Sequence, residues 1–239
     1  MKIVINPEYE GLREWIAQLP ENFATQGEVI YDARNQIRLM QAPDGTRMCV
    51  KRYRKPAFPN RIVYTYLRAP KAERAYRNAT LLIENGIGTP VPVAYILVER
   101  NGLIRDSYLV ALQSIMKRNF YEFRHHPLAG YEPIVKAFAR FTADMHKKGI
   151  LHKDYSPGNI LFNVSVDGHI DFEVVDINRM TFNQPVTMER ACYNFRKLWG
   201  GEDFFALLSR AYAHARGWDE DICYKRTIFY WHRFWRFHK

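Results

Sequence analysis

Residues 150–178 constrain the fold more tightly than any other stretch of this chain. The run Ile150-Leu151-His152-Lys153-Asp154-Tyr155-Ser156-Pro157-Gly158-Asn159-Ile160-Leu161 sets several chemically capable side chains on what reads as one short loop. Upstream, Ile134, Phe138, Phe141 and Met145 recur at helical spacing, and Gly149 offers that helix a stop. Downstream, residues 160–164 and 170–175 read as two strands around the turn signal Asp167-Gly168. The second strand runs into Asp176-Ile177-Asn178. A helix, a loop and a hairpin in this order can bring Asp154, Asn159 and Asp176 to one place.

Those three residue types suit one chemistry in particular. Phosphoryl transfer needs an acceptor hydroxyl held in line and oxygen ligands for a metal on the triphosphate. Asp154 can accept the hydroxyl proton. Asn159 and Asp176 offer the hard oxygen donors that Mg²⁺ prefers.

The rest of the chain divides by character. Up to about Ser114 it reads as strands with few helices. A helix is expected from Tyr9 to Leu19, with Leu12, Trp15, Ile16 and Leu19 on one face and Pro20 as its end. Residues 29–40 read as strand, turn and strand about Arg34-Asn35, and Asp44-Gly45 signals a hairpin into a strand at Arg47–Lys51. Lys71 to Glu84 carries helical spacing through Ala72, Ala75, Ala79 and Leu82, with Asn85-Gly86 as the stop. Strands follow at 91–99 and 107–112. Beyond residue 131 the pattern is mainly helical, and from Thr187 it is helical and aromatic. No internal repeat, leader-like segment or run of about 20 apolar residues is present, so a cytoplasmic protein is expected.

Charge narrows the partners. Lys plus Arg number 35 against 25 Asp plus Glu, a formal charge of +10. Such a surplus favours anionic partners: nucleotides, nucleic acids, phosphorylated glycolipids or an acidic membrane face. Ten of the cations fall in residues 47–77 beside a single acid, Glu73. The tail from Lys225 to Lys239 adds five more and six aromatic residues. Tyr224, Ile228, Trp231 and Trp235 share a helical face there, which either packs on the domain or meets lipid headgroups. Three cysteines, Cys49, Cys192 and Cys223, lie far apart in sequence without metal-ligand spacing and read as reduced, partly buried thiols. His146 is expected to pack at its helix end, His152 to brace the loop, and His125-His126 to be exposed.

The spacing of His152, Asp154 and Asn159, followed by the strand-terminal Asp176, resembles the protein-kinase-like superfamily. His152-Lys153 stand where that superfamily has His-Arg, and Asp176-Ile177-Asn178 where it has Asp-Phe-Gly. Over nearly its whole length the chain is most similar to compact, Bacteroides-type members of the lipopolysaccharide kinase (Kdo/WaaP) family. The similarity runs through Ala33-Arg34-Asn35, Val50-Lys51-Arg52-Tyr53, Lys71-Ala72-Glu73-Arg74-Ala75-Tyr76, residues 86–92, the 152–159 loop and Val175–Met180.

This resemblance implies an α+β, protein-kinase-like two-lobed fold: a strand-rich N-lobe over 1–114 and a reduced helical C-lobe over 115–239. It implies ATP and Mg²⁺, and transfer to a sugar hydroxyl of the lipopolysaccharide inner core, on Kdo or heptose. Asp154 would be the base, with His152 and Lys153 beside it, and Asn159 and Asp176 would hold the metal. Lys51 would hold the α- and β-phosphates, with Glu73 as its helical partner. Arg77 stands nearer the expected place, and Glu84 is an alternative. No Gly-x-Gly-x-x-Gly covers the phosphates; Asp32-Ala33-Arg34-Asn35 occupies that place, so Arg34 and Asn35 are expected to serve the nucleotide. The partners implied are a core or lipid A-linked sugar and the cytoplasmic face of the inner membrane. Nucleic acid is not expected, because no aromatic stacking platform can be placed. The short stretch after Asp176 and the lack of Ala-Pro-Glu favour a small or glycolipid acceptor over a peptide. Kinases of a metabolite, antibiotic or protein, and an inactive kinase fold used for binding, remain alternatives.

Overall fold

A computed structural model describes residues 1–33, 35–53, 69–124 and 128–237. The chain forms two compact units, Met1–Ile115 and Met116–Lys239.

The first unit is built on an antiparallel sheet of six strands: β1 (Lys2–Ile5), β2 (Glu28–Asp32), β3 (Asn35–Gln41), β4 (Arg47–Tyr53), β5 (Pro92–Arg100) and β6 (Leu103–Leu112), in the order β1-β5-β6-β4-β3-β2. Among the described residues two α-helices serve it, α1 (Arg13–Asn22) and α2 (Lys71–Glu84). Side chains alternate between the faces of a strand, and β4 uses both. Met48 and Val50 point into a core with Met40, Ile96 and Val110, closed by Leu12, Ile16, Leu19 and Phe23 from the α1 region. Tyr53 points the other way, into a cluster with Ala72 and Ala75 of α2 and with Tyr95 and Leu97. Lys51 pairs with Leu109, which packs on that second cluster, so its side chain lies on the α2 face of the sheet. The small residues Ala72, Ala75 and Ala79 let α2 lie close to the strands.

Pro20 does not end the first helix as its chemistry suggests. A 3-10 turn over Pro7–Leu12 precedes α1, which runs through Pro20 to Asn22. The Phe23 N–H still reaches the Leu19 carbonyl at 2.8 Å, and both side chains are buried. Burying two large apolar groups, at about 1.5–3 kcal/mol each, offsets the hydrogen bond that proline removes.

In the second unit, α3 (Glu132–Lys147) carries a continuous buried stripe from Ile134 to His146. After β8 (Leu151–His152), strands β9 (Ile160–Val164) and β10 (Ile170–Val174) form a hairpin, and β7 (Arg118–Asn119) pairs with β9. Phe162 and Phe172 face each other across this hairpin. Phe172 stacks on Phe141 of α3 at 5.3 Å between ring centroids, and Phe138 stacks on Tyr155 of the loop at 5.6 Å. The aromatic layer therefore ties the 152–159 loop, through Tyr155, and the hairpin after it, through Phe172, to one helix. A short β11 (Met180–Thr181) pairs with β8. Helices α4 (Met188–Asn194), α5 (Glu202–Arg216) and α6 (Glu220–Arg236) complete the unit.

The aromatic face of α6 packs inward. Trp231 lies 4.6 Å from Phe205, Tyr230 lies 5.3 Å from Tyr193, and Cys223 and Thr227 are buried. Cys223 also brings its sulfur to 3.7 Å from Cys192, a contact that their separation in the chain conceals. Of the basic run at 47–77, residues 54–68 lie outside the described residues, as do His125 and His126. Within the described part, Arg52 meets Asp106 at 2.8 Å and Arg77 meets Glu73 at 3.4 Å. The local count of one acid misses Asp106, which the sheet register supplies.

Candidate active site

The site in the second unit is assembled by a circuit of backbone and side-chain bonds. His152 is fully buried. Its Nδ1 accepts the Asp154 N–H at 3.1 Å, which leaves Nε2 protonated to donate to the Val175 carbonyl at 3.0 Å. Burial holds the imidazole below its ordinary pKa, against the opposing Val175 bond, so it is neutral at pH 7. The Asn159 amide donates Nδ2–H to the Asp154 carbonyl at 2.9 Å, and the Val175 N–H donates to the Asn159 carbonyl at 3.0 Å. Asp154, Asn159 and the residue after Val175, Asp176, are thereby tied to one another although 22 positions span them.

Supports lie on every side. Tyr155 buries its ring, and its hydroxyl meets Thr142 of α3 at 2.9 Å. The Lys153 N–H donates to the Arg179 carbonyl at 2.7 Å. The Asn194 amide donates to the His152 carbonyl at 2.9 Å. Asp176 sits in the left-handed region at φ 53°, ψ 45° and opens the 3-10 turn Ile177–Arg179. Aspartate is among the few non-glycine residues that adopt this conformation, because its short polar side chain can hydrogen-bond locally, and non-glycine residues held there concentrate at functional sites.

Asp154 is the half-buried centre of the charge distribution. Lys197 donates from Nζ to its Oδ1 at 2.5 Å. Partial burial pushes the Asp154 carboxyl up, but the Lys197 hydrogen bond and charge more than offset it, with Arg179 adding to them. The group therefore lies below the ordinary carboxylate value and is ionised at pH 7. Among the described residues, its Oδ2 has no hydrogen-bond donor from the protein. Such a carboxylate can accept a proton from a hydroxyl placed beside Oδ2.

The donor set fits Mg²⁺. Asn159 commits its nitrogen to the Asp154 carbonyl, so its remaining polar atom is the oxygen Oδ1. Asp176 adds a carboxylate. Among the described residues no group of three or more His, Cys, Asp or Glu could hold a metal by itself. Mg²⁺ typically takes only one or two protein oxygens beside phosphate and water, so a pair of donors matches it better than a transition metal.

The remaining expected residues are placed as follows. Lys51 is half-buried on the central strand β4, with its ammonium 5.3 Å from the Tyr53 ring. Glu73 lies in the first turn of α2, and the partner seen for it is Arg77. Asn35 opens β3, and among the described residues its buried side-chain oxygen has no hydrogen-bond partner. Arg34 lies outside the described residues. Lys153 is exposed, and only its backbone is engaged by the loop. Sequence reasoning did not single out Lys197 or Asn194, which stand 43 and 42 residues from the groups they hold. A signal exists in the pattern Phe195-Arg196-Lys197-Leu198, where buried Phe195 and Leu198 flank two cations.

A structure described as "WaaP in complex with acyl carrier protein" superposes with a TM-score of 0.63 at 18% identity, covering 98% of this chain and 100% of that one. The Rio2 kinase of Chaetomium thermophilum, in its ADP/Mg2+-phosphoaspartate complex, gives 0.49 at 13% identity over 95% of this chain and 77% of that one. The fold is kinase-like. A search of curated proteins by sequence gives no match. The family profile described as lipopolysaccharide kinase (Kdo/WaaP) matches residues 21–198. That match spans most of the sequence, and the chain belongs to the lipopolysaccharide kinase (Kdo/WaaP) family, enzymes that phosphorylate a sugar hydroxyl.

Proposed function

We propose that the protein transfers the γ-phosphoryl group of Mg-ATP to a hydroxyl of Kdo or heptose in the lipopolysaccharide inner core, with Asp154 as the base. The observation that carries this reading is the ionised Asp154 carboxylate, tied to Asn159 and the Asp176 backbone, with Oδ2 taking no hydrogen bond among the described residues. The acceptor hydroxyl gives its proton to Oδ2 as its oxygen forms the new bond to phosphorus. The bond from phosphorus to the β-bridging oxygen breaks, and ADP leaves with that electron pair. His152 fixes the loop as a neutral imidazole and moves no proton.

Asn159 Oδ1 and the Asp176 carboxylate would hold Mg²⁺, which when bound neutralises charge on the phosphates. Lys51 would hold the α- and β-phosphates, and Arg34 and Asn35 would serve the place that a glycine-rich loop fills in other kinases. Glu73 is the proposed helical acid of the first unit. Lys153, on the rim of the loop, would meet the acceptor rather than the nucleotide.

No helix among the described residues is long and apolar enough to cross a membrane. We place the enzyme on the cytoplasmic face of the inner membrane. The exposed stripe of α6 with Lys225, Phe229, Arg233 and Arg236 is suited to anionic headgroups. The WaaP structure contains acyl carrier protein, and co-purification of that protein with this chain would extend the partnership to it.

Transfer of labelled γ-phosphate to lipopolysaccharide from the source bacterium tests the reading. Wild type should label the glycolipid, and Asp154→Asn should lower turnover by about 10²–10⁴-fold while Mg-ATP still binds. Equal turnover in the two proteins would remove Asp154 from the mechanism. Label confined to protein would remove the glycolipid.

A further inference from the structure

The described contacts of Asp154 contain a cation that the loop itself does not provide. The loop's own lysine, Lys153, points to solvent. Lys197 instead reaches Asp154 from a separate element, the 3-10 turn Phe195–Lys197 that continues α4. That turn is firmly seated. Phe195 and Leu198 are fully buried, the Leu198 N–H closes the turn on the Phe195 carbonyl at 3.0 Å, and Asn194 is anchored on the His152 carbonyl. The Lys197 side chain is 25% exposed and that of Asp154 28% exposed, so the pair lies at the mouth of the site rather than inside the core.

A carboxylate has two oxygens and rotates about one bond. A single charge-assisted hydrogen bond to Oδ1 fixes that rotation and directs Oδ2. We propose that Lys197 is a positioning residue for phosphoryl transfer, locking the Asp154 carboxylate so that Oδ2 faces the acceptor hydroxyl. This rests on Asp154 as the base. Its task is orientation of the base before transfer, a task that disappears once the Asp154 carboxylate is removed. A lysine kept only for stability would couple weakly to turnover, because a partly exposed ion pair contributes about 0–1 kcal/mol.

The test is a double-mutant cycle on Lys197 and Asp154, read as γ-phosphoryl transfer to lipopolysaccharide, with binding of a fluorescent mant-ADP as a readout independent of turnover. Lys197→Met should lower kcat by about 10–100-fold, the scale of a misplaced catalytic group. Its KM for ATP and its Kd for mant-ADP should stay within about twofold of wild type. Lys197→Arg, which keeps a charge-assisted donor, should recover at least half of that loss on a logarithmic scale. The double variant should be no slower than Asp154→Asn alone, because a positioned group that is absent cannot be positioned. Should Lys197→Met fail to fold, as a thermal melt would show, Lys197→Gln carries the same expectations. Wild-type kcat in Lys197→Met with an inactive Asp154→Asn would overturn the proposal and leave Asp154 as the base. Multiplicative losses in the double variant would also overturn it, since they mean independent roles. Full activity of Asp154→Asn would instead overturn the reading on which the proposal rests.

Discussion

Acidification should destabilise this protein through a histidine that never touches substrate. His146 stands in the last turn of α3 and is 1% exposed. Its Nδ1 lies 2.8 Å from the Tyr212 hydroxyl, and that hydroxyl accepts from Arg216 at 2.7 Å. With Arg216 donating to it, the Tyr212 hydroxyl can give its own proton to a neutral Nδ1, a bond that protonation of Nδ1 would forfeit beside a guanidinium. Burial, followed by the Arg216 charge, lowers the group from its ordinary 6.5 to about 3. The folded-state value lies below the unfolded one, so the unfolded chain takes up the proton first as pH falls. The stability associated with neutral His146 is complete above about pH 6.5 and is lost progressively from there down to about pH 3. At about 1.4 kcal/mol per pH unit, taking the protein from pH 7 to pH 5 costs about 2 kcal/mol. In a chain of this length that is a fall of about 4–8 °C in Tm. His152, also buried and lowered, acts in the same direction. Urea unfolding at pH 7, 6 and 5, for wild type and for His146→Gln, isolates the one histidine. The variant will be less stable at pH 7, but the gap should narrow by about 2 kcal/mol at pH 5. A gap that stays constant with pH would exclude His146 as the group responsible.

Three further outcomes follow from the geometry. Gly149 has φ +69°, and a Cβ there would stand 2.9 Å from the Gln184 nitrogen and 3.1 Å from its carbonyl oxygen; Gly149→Ala should cost more than about 1–2 kcal/mol in chemical denaturation. Asn194→Ala leaves the buried His152 carbonyl without that donor and should cost about 1–3 kcal/mol, measured as a lower urea midpoint. Asp176→Asn should keep the melting temperature while weakening mant-ADP binding in the presence of Mg²⁺ and not in its absence, whereas Asp176→Val should lose stability as well, because a β-branched residue resists the left-handed backbone.

The 152–159 loop is legible in sequence because its candidate chemistry and its scaffold are contiguous. Helix, loop and hairpin follow one another within about 50 residues, and each boundary carries a local signal: Gly149, Pro157 and the Asp167-Gly168 turn. Lys51 is legible for a similar reason, since its strand alternates cleanly between two cores. Lys197 is not, because nothing local says that a lysine after α4 turns back to Asp154; only the burial of Phe195 and Leu198 aims it. The neutralisation of Arg52 by Asp106 depends on the pairing of β4 with β6, and the meeting of Cys192 with Cys223 on the packing of α6. Pro20 shows the opposite failure: a strong local stop signal yields to the burial of Leu19 and Phe23. The aromatic tail shows a face whose spacing is plain but whose partner is not, until Phe205 and Trp199 are seen beneath it.

The backbone at Asp176 also bears on how such an enzyme is lost. Only glycine, asparagine and aspartate enter the left-handed region readily. An aspartate codon is one base change away from both of the other two. The substitutions most tolerated by the fold are thus the ones most accessible to mutation, and both delete the carboxylate. If Asp176 holds the metal as proposed, a lineage relieved of selection for phosphoryl transfer would drift at this position into a stable, inactive descendant before it drifted into an unfolded one.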